Sequence, residues 1–497
     1  MSAVLHSRSE QSTLEAGLAA VLNALPGLQA GGDIVDEGTG DVTSSGSAEA
    51  RLAELETFAG HLSGAVESVI DTVLHVRNTE MAALVKRVEQ LEQSLQLEQT
   101  TRELAEVARM YPKERVVVFA GNSYFGDNVK YAWQACKDRA QALGLDCWFL
   151  PADSHQEALV HAAGGLCFPN DPDQWTSEHV QVALSAAVVV TSNHLLSSNP
   201  YAFALLQGAR QIQLWHGVSI KEIGFRNLPP LKWITPSFAR VLRTCGRFSC
   251  LVGTALDAEH EWRRWFDFER YEPIGYPRVD VLYREPSKDD LINVDLTAYE
   301  RAGNLLSQGR RVYFYAPTFR DANRGRWVLQ AGIDRLARAL EAAGDGLIVN
   351  LHPLEHAFLA ELSKALPSVT FVKPLTDVYP LLTRTTALVT DYSSIMFDYL
   401  HLDRPIVLFR PDHEDYTHRS RKLFDAKLRT LPGPVVNDVQ TLISVLQGRD
   451  VGQGGRHASA RRTLRETLYD RLDGRSAESL IAVIERELAV AMAGPSA

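Results

Sequence analysis

Leu388-Val-Thr-Asp391-Tyr-Ser393-Ser394-Ile-Met-Phe-Asp398-Tyr-Leu400 is the stretch whose reading decides the fold. The apolar run at residues 386–390 reads as a buried strand, two serines follow where a helix would begin, and residues 395–402 carry apolar side chains at helical spacing. The expectation is a strand, a tight turn and a helix N-terminus. Ser393 or Ser394 is suited to cap that helix, while its uncommitted backbone N–H groups and the positive end of its dipole make a site for phosphate. A serine pair in such a place is often a cap and nothing more.

Outward from this stretch the same grammar repeats. Strands are expected at residues 311–315, 346–350, 369–372, 387–389 and 405–409, with helices between them, for example over 327–343 and 356–366. Upstream, strands at 115–120 and 146–150 flank an amphipathic helix over 129–143, and further strands end at 191 and 215. Strands alternating with helices predict parallel, doubly wound sheets, here two of them facing a cleft, so the fold class is α/β. Open sheets of this kind bind ligands just past the carboxyl ends of their strands. Those ends carry His216 in the first half, and Thr318, Arg320, His352, Asp391, Ser393 and Ser394 in the second.

These residue types suit a diphosphate. An arginine fork, an imidazole and a serine-rich helix start can neutralise its charge without a covalent intermediate. Each also has a plainer role, in which Arg320 pairs with Asp321 or another acid, His352 is a satisfied strand-end residue and His216 shapes a turn. A histidine with near-neutral pKa in a cleft is the usual general base, which is the sharper reading of His216. No Walker lysine loop and no GxGxxG motif occurs, so neither ATP hydrolysis nor a standard dinucleotide site is indicated.

At 497 residues the chain is too long for one compact core. Its 51 basic and 61 acidic side chains give a net charge of -10, which argues against a protein that coats nucleic acid. The five cysteines show no metal-ligand spacing and fit reduced thiols in the cytoplasm. No secretory signal and no apolar run of about 18 residues is present, so any membrane contact would be peripheral, at the inner face of the cell membrane. Residues 1–48 read as an unfixed tail rich in Ser, Gly, Ala and Thr. Over 49–108 a helical arm is expected. Leu52, Leu55, Ala59, Leu62, Val66, Val69, Val73 and Val76 follow a 3.5-residue period that slips by one before Leu84, Val88, Leu91 and Leu95. The arm either packs on its own protein body or forms a homodimer through residues 52–95.

Five motifs in order then bear a resemblance. Gln213-Leu-Trp-His216-Gly217, Gly275-Tyr-Pro277-Arg278-Val-Asp280, Tyr315-Ala-Pro-Thr318-Phe-Arg320-Asp321, Leu351-His352-Pro353 and Thr390-Asp391-Tyr-Ser393-Ser394 resemble the CDP-glycerol:polyglycerol-phosphate glycerophosphotransferase family of teichoic acid and capsule polymer synthesis. The early loop Gly121-Asn-Ser-Tyr-Phe-Gly-Asp127-Asn128 is similar too.

The resemblance implies a GT-B-like pair of Rossmann-type domains, an acceptor domain over 110–284 and a CDP-donor domain over 285–445, followed by a helical segment over 446–497. It implies that His216 takes the proton of the acceptor hydroxyl. It also implies that His352, Thr318, Arg320, Ser393 and Ser394 hold the donor diphosphate, with Asp391 orienting these or the ribose. The substrates would be CDP-glycerol or a related CDP-polyol and a polymer or lipid-linked acceptor. No cofactor is required by the sequence, no metal site is assigned, and a need for Mg2+ is left open. Arg278 and Asp280 read as a structural ion pair between the domains. Arg240, Arg243 and Arg247, and the cluster Arg419, Arg421 and Lys422, are either surfaces for an anionic polymer or lipid head group, or solvated faces. Two alternatives remain: a nucleotide-sugar GT-B glycosyltransferase, and a non-catalytic coiled-coil scaffold or binding protein.

Overall fold

The structure, a computed structural model, describes residues 46–121, 124–193, 199–220, 222–226, 228–320, 327–413, 430–448 and 457–493. Most of the expected tail, Asp321, and the cluster Arg419, Arg421 and Lys422 lie outside the described residues. The chain divides into two units, Met1–Gln99 and Thr100–Ala497. In the first, the described residues belong to the helix Gly46–Met110. Its apolar seam is exposed, from Leu52, Leu62, Val66 and Val73 to Leu84, Leu91 and Leu95 after the slip.

The second unit holds two parallel sheets. Strands β1 (Glu114–Ala120), β2 (Asp146–Leu150), β3 (Leu166–Cys167), β4 (Ala186–Thr191), β5 (Arg210–Gln213), β6 (Phe248–Val252) and β7 (Phe268–Glu272) lie in the order β3-β2-β1-β4-β5-β6-β7. Strands β8 (Val312–Ala316), β9 (Gly346–Val349), β10 (Thr370–Phe371), β11 (Ala387–Thr390), β12 (Ile406–Phe409) and β13 (Val435–Val436) lie in the order β10-β9-β8-β11-β12-β13. Both orders are doubly wound, and the winding reverses between β1 and β4 and between β8 and β11. This is the GT-B-like α/β class expected from the sequence.

Central strands form where short runs of β-branched and aromatic residues are covered on both faces. In β4 every residue is buried. Register then decides what the strand ends present together: Ala120 pairs with Thr191, and Ala316 with Thr390. The second pairing brings the loops that begin at Pro317 and Asp391 out side by side.

Several local expectations change. The helix expected over 327–343 is two, Trp327–Gln330 and Ile333–Ala342, because Gly332 adopts φ +81 between them. The expected segment over 446–497 holds the helices Ala458–Leu468 and Ser476–Met492. Val439–Gln447 packs into the second sheet's core through Leu442 and Leu446, whereas Ser476–Met492 returns to the first through Leu480, Ile484 and Leu488. Asp280, expected to pair with Arg278, instead accepts from the backbone N–H groups of Ser476 and Ala477, at 3.0 and 2.8 Å, and so starts that returning helix.

The two sheets share an apolar cluster that joins Tyr131, Val218 and Ile220 to Phe314, Leu388 and Met396. Inside this contact lies a charge with no access to water. Lys130 places Nζ 2.8 Å from Asp377 and donates to the carbonyls of Asp290 and Ile292, both at 2.7 Å, while the Tyr131 hydroxyl donates to the same Asp377 oxygen at 2.8 Å. Removing one partner of such a pair leaves the other charge buried alone, so Lys130→Met should destabilise the protein by about 3–5 kcal/mol. Urea unfolding of the full chain measures this, and a loss below about 1 kcal/mol would contradict the buried pair.

Candidate active site

Trp215-His216-Gly217 leaves the end of β5 as a turn held from several sides. The Gln213 carboxamide accepts from the Trp215 N–H at 2.9 Å and donates to the Asn193 carbonyl at 3.1 Å, and Asn128 Nδ2 donates to the Trp215 carbonyl at 2.8 Å. Trp215 takes φ +50, and its ring stacks on His216 with centroids 4.3 Å apart. The Phe266 ring supports the other side, at 4.8 Å.

His216 Nδ1 lies 3.3 Å from the Ser192 carbonyl. A carbonyl only accepts, so Nδ1 carries the proton and Nε2 keeps the lone pair, which is the tautomer of a general base. The imidazole is exposed yet crowded by protein. Desolvation is the first reason that its pKa falls below the ordinary 6.5; the Arg278 charge lowers it further, while Asp127 and the Ser192 carbonyl oppose this.

Across the cleft, Asp391 organises the ends of β8 and β11. Its carboxylate accepts from the Thr318 N–H at 2.9 Å, from the Thr318 hydroxyl, from its neighbour Tyr392 N–H at 2.5 Å and from Arg320 Nη2 at 2.8 Å. Arg320 also forks onto Asp412, at 2.6 and 3.0 Å, and donates to the Thr318 carbonyl at 2.7 Å. Burial alone would lower the guanidinium pKa, but Asp412 and Asp391 outweigh it and hold it above the ordinary value. Most of this fork therefore faces protein acceptors. Arg320 fixes the Thr318 turn, where the sequence suggested a direct phosphate donor.

Ser393 and Ser394 are half-buried. Ser394 stands at the N-cap of Ile395–Tyr399, but with φ −65° and ψ −15°, and its hydroxyl makes no capping bond. The expected serine cap is thus not formed there, and the α-helix ends at Tyr399 before the 3-10 turn Leu400–Leu402. A helix of that length has a weak dipole, so the hydroxyls and local N–H groups carry more of the polarity than the axis does. His352 is exposed past the end of β9, its ring 5.4 Å from Phe319.

The two sides meet at Gly217, which has φ +130. A Cβ built there would lie 2.7 Å from Arg278 Nη2 and 3.7 Å from the Ser394 hydroxyl. The His216 turn of the first sheet thus comes close to the serine turn of the second. Among the described residues, no group of three or more His, Cys, Asp or Glu side chains could hold a metal ion.

The family model for CDP-Glycerol:Poly(glycerophosphate) glycerophosphotransferase matches residues 108–486. The chain belongs to this family. Among its relatives, the teichoic acid poly(glycerol phosphate) polymerase of Staphylococcus epidermidis is 29% identical over 250 residues, 48% of this chain and 34% of that protein. The teichoic acid ribitol-phosphate primase of Bacillus spizizenii is 28% identical over 242 residues, 47% of this chain and 59% of that protein. The teichoic acid glycerol-phosphate transferase of Staphylococcus aureus is 28% identical over 250 residues, 48% of this chain and 62% of that protein. The chain therefore spans less than two thirds of each of these relatives. The wall teichoic acid polymerase TagF has a similar fold, with TM-score 0.59 and 19% identity over 81% of this chain and 98% of that one.

Within this glycerophosphotransferase framework, the sequence left several contributors unassigned. Asp412 and His413 follow β12, Arg410 stacks on Tyr392 at 4.6 Å, and His413 Nδ1 sits 2.6 Å from the Tyr392 hydroxyl. The strand-end rule that found Thr318 also points to Arg410-Pro-Asp412-His413. Asp127 and Asn128, at the start of the helix Asp127–Leu143, were visible only as part of a motif.

Gly217 offers a sharp test. Arg278 is locked between carboxylates and cannot yield to an added methyl group. Gly217→Ala should lower kcat about 100-fold by shifting the His216 turn on the order of 1 Å. Steady-state kinetics reads the effect, and a kcat within about threefold of the parent would show that the turn has room.

Proposed function

We propose that this chain transfers a polyol phosphate, glycerol phosphate first among candidates, from a CDP-linked donor to a hydroxyl of a cell-surface polymer or its lipid-linked precursor. The acceptor oxygen attacks the phosphorus that bears the polyol, its proton passes to His216 Nε2, and the bond to CMP breaks with CMP keeping the bridging oxygen. Such a transfer asks mainly for alignment and charge stabilisation. The observation that carries this reading is the His216 tautomer, with Nε2 as acceptor, on a turn that comes close to Ser394. His352, Thr318, Ser393 and Ser394 are proposed to face the donor diphosphate, with Arg320 and Asp391 holding the Thr318 turn. The relatives' names speak for teichoic acid polymers, and a capsule polymer remains within the same chemistry.

His216→Ala should reduce CMP release by about a thousandfold or more while leaving the Kd for CDP-glycerol within about threefold. His352→Ala and Arg320→Ala should each weaken donor binding by about tenfold, read by calorimetry. The base works only when neutral, so kcat/KM should fall as pH drops through a pKa below 6.5. Unchanged turnover in His216→Ala would sink the base assignment, and UDP in place of CMP from a donor panel would favour a sugar transferase.

A lipid-borne acceptor is the companion proposal, supported by exposed side chains in the segment that follows His216 in the chain. Among the described residues no helix is long and apolar enough to cross a membrane. Just downstream of His216, however, Leu228, Leu231, Trp233 and Ile234 are exposed, with Leu231 83% open, beside the exposed cations Arg226, Lys232, Arg243 and Arg247. Exposed aromatic and aliphatic side chains among cations suit an interfacial membrane contact. The exposed seam of Gly46–Met110 suits a second copy of the chain. Leu231→Asp with Trp233→Asp should lower binding of the full chain to anionic vesicles by about tenfold. Equal binding would remove the patch from the reading, and a monomeric mass in sedimentation equilibrium would remove the dimer.

A further inference from the structure

We infer that Arg278 is a positioning residue for the transfer: by bridging Asp127 beside the first sheet and Asp398 beside the second, it sets the His216 turn against the Ser393–Ser394 turn. The inference rests on the function proposed above for His216.

Arg278 is 5% exposed as a side chain, and its partners Asp127 and Asp398 are 2% and 1% exposed. Nη1 donates to Asp127, and Nη2 donates to Asp398 at 2.6 Å. Asp398 is itself fixed, because it accepts from the Tyr379 hydroxyl at 2.6 Å and the Tyr469 hydroxyl at 3.2 Å. Three buried charges are a poor way to gain stability, since well-packed apolar side chains do as well or better. What a guanidinium fork adds is angle and distance.

The fork acts directly on the base-bearing turn. The Arg278 N–H donates to Asn128 Oδ1 at 3.2 Å, and Asn128 Nδ2 donates to the Trp215 carbonyl at 2.8 Å. Gly217 leaves no space for a Cβ beside Arg278 Nη2. Asp127 and Trp215 both hold left-handed backbones, with φ +58 and +50, in this one knot. Non-glycine residues keep such conformations only where their surroundings over-determine them. Asp127 and Arg278 are also the charged groups that bear on the His216 imidazole, from the β1 loop and the crossover segment. Lys130 and Asp377 form a second buried ion pair across the same contact without touching the His216 turn, so the two roles can be separated.

Arg278→Lys keeps the charge and removes the fork. In the full chain it should retain CDP-glycerol affinity within about threefold and lose kcat about 100-fold or more. Asp127→Asn removes the carboxylate that raises the His216 pKa, so the His216 titration midpoint should fall. Carbon-13 NMR of histidine-labelled protein reads that midpoint, with His216→Asn identifying the signal. Lys130→Met serves as the control for lost stability alone and should leave the midpoint in place. A kcat retained in Arg278→Lys, or a midpoint that stays or rises in Asp127→Asn, overturns the inference. If the parent protein releases CMP from no CDP-polyol, the proposed function falls, and the midpoint in Asp127→Asn still decides whether the knot acts on His216.

Discussion

Two buried cations hold the second unit's halves together, and the rest of the site depends on where they sit. Lys130 and Arg278 each reach from one sheet's side of the contact to a carboxylate on the other, Asp377 and Asp398, and both pairs are buried. An apolar contact alone would tolerate sliding, because the hydrophobic effect has no direction. A hydrogen-bonded ion pair in a low-dielectric interior does not, because a displaced partner leaves a bare charge. The shared cluster of Tyr131, Val218, Phe314 and Met396 therefore supplies adhesion, and the two ion pairs supply register.

That register matters because parallel sheets deliver their chemistry only at strand ends. The pairing of Ala316 with Thr390 brings Thr318 and Asp391 together inside one domain, which local hydrogen bonding can do. Nothing within either sheet brings His216 to Ser394. Their approach at Gly217 requires the halves to be set against each other at the level of single ångströms, which is the task that Arg278 performs.

Much of this was legible in the chain. The apolar runs that became β1, β2, β4, β8, β9, β11 and β12 are buried strands bounded by turn residues, and strand-end placement singled out Thr318, His352, Asp391 and His216 from position alone. Three of the missed strands share a physical origin, while the fully buried β6 was overlooked. β7 reads Phe268-Glu-Arg-Tyr-Glu272, an edge strand too polar to show a pattern, and β3 and β13 have two residues each. Long-range pairings were the other blind spot. Asp280 and Arg278 are two residues apart and looked like partners, yet one caps the helix that begins at Ser476 and the other reaches Asp127 and Asp398. Spacing reports which side chains share a face, and says nothing about which distant element arrives to meet them.

Arg320 shows why residue type alone cannot assign a role. Its fork has the geometry that grips a phosphate, and the sequence offered it for that purpose. In the fold it grips two carboxylates, Asp391 and Asp412, and the Thr318 carbonyl. The net charge of that triad is −1, which would repel a diphosphate if it faced the ligand directly. The burial of Arg320 and Asp391 resolves the conflict: their charges fix the Thr318 loop from inside the protein, while Ser393 and Ser394 stay half-buried. In the proposed site the Ser393 and Ser394 hydroxyls and the exposed His352 are then the groups left to meet the phosphate oxygens, since the Thr318 N–H and hydroxyl both donate to Asp391. Such donors hold a diphosphate less tightly than bare cations would. For the transfer proposed above, which would release CMP after each turnover, that is a gain, because ground-state grip on the donor does not speed the transfer itself.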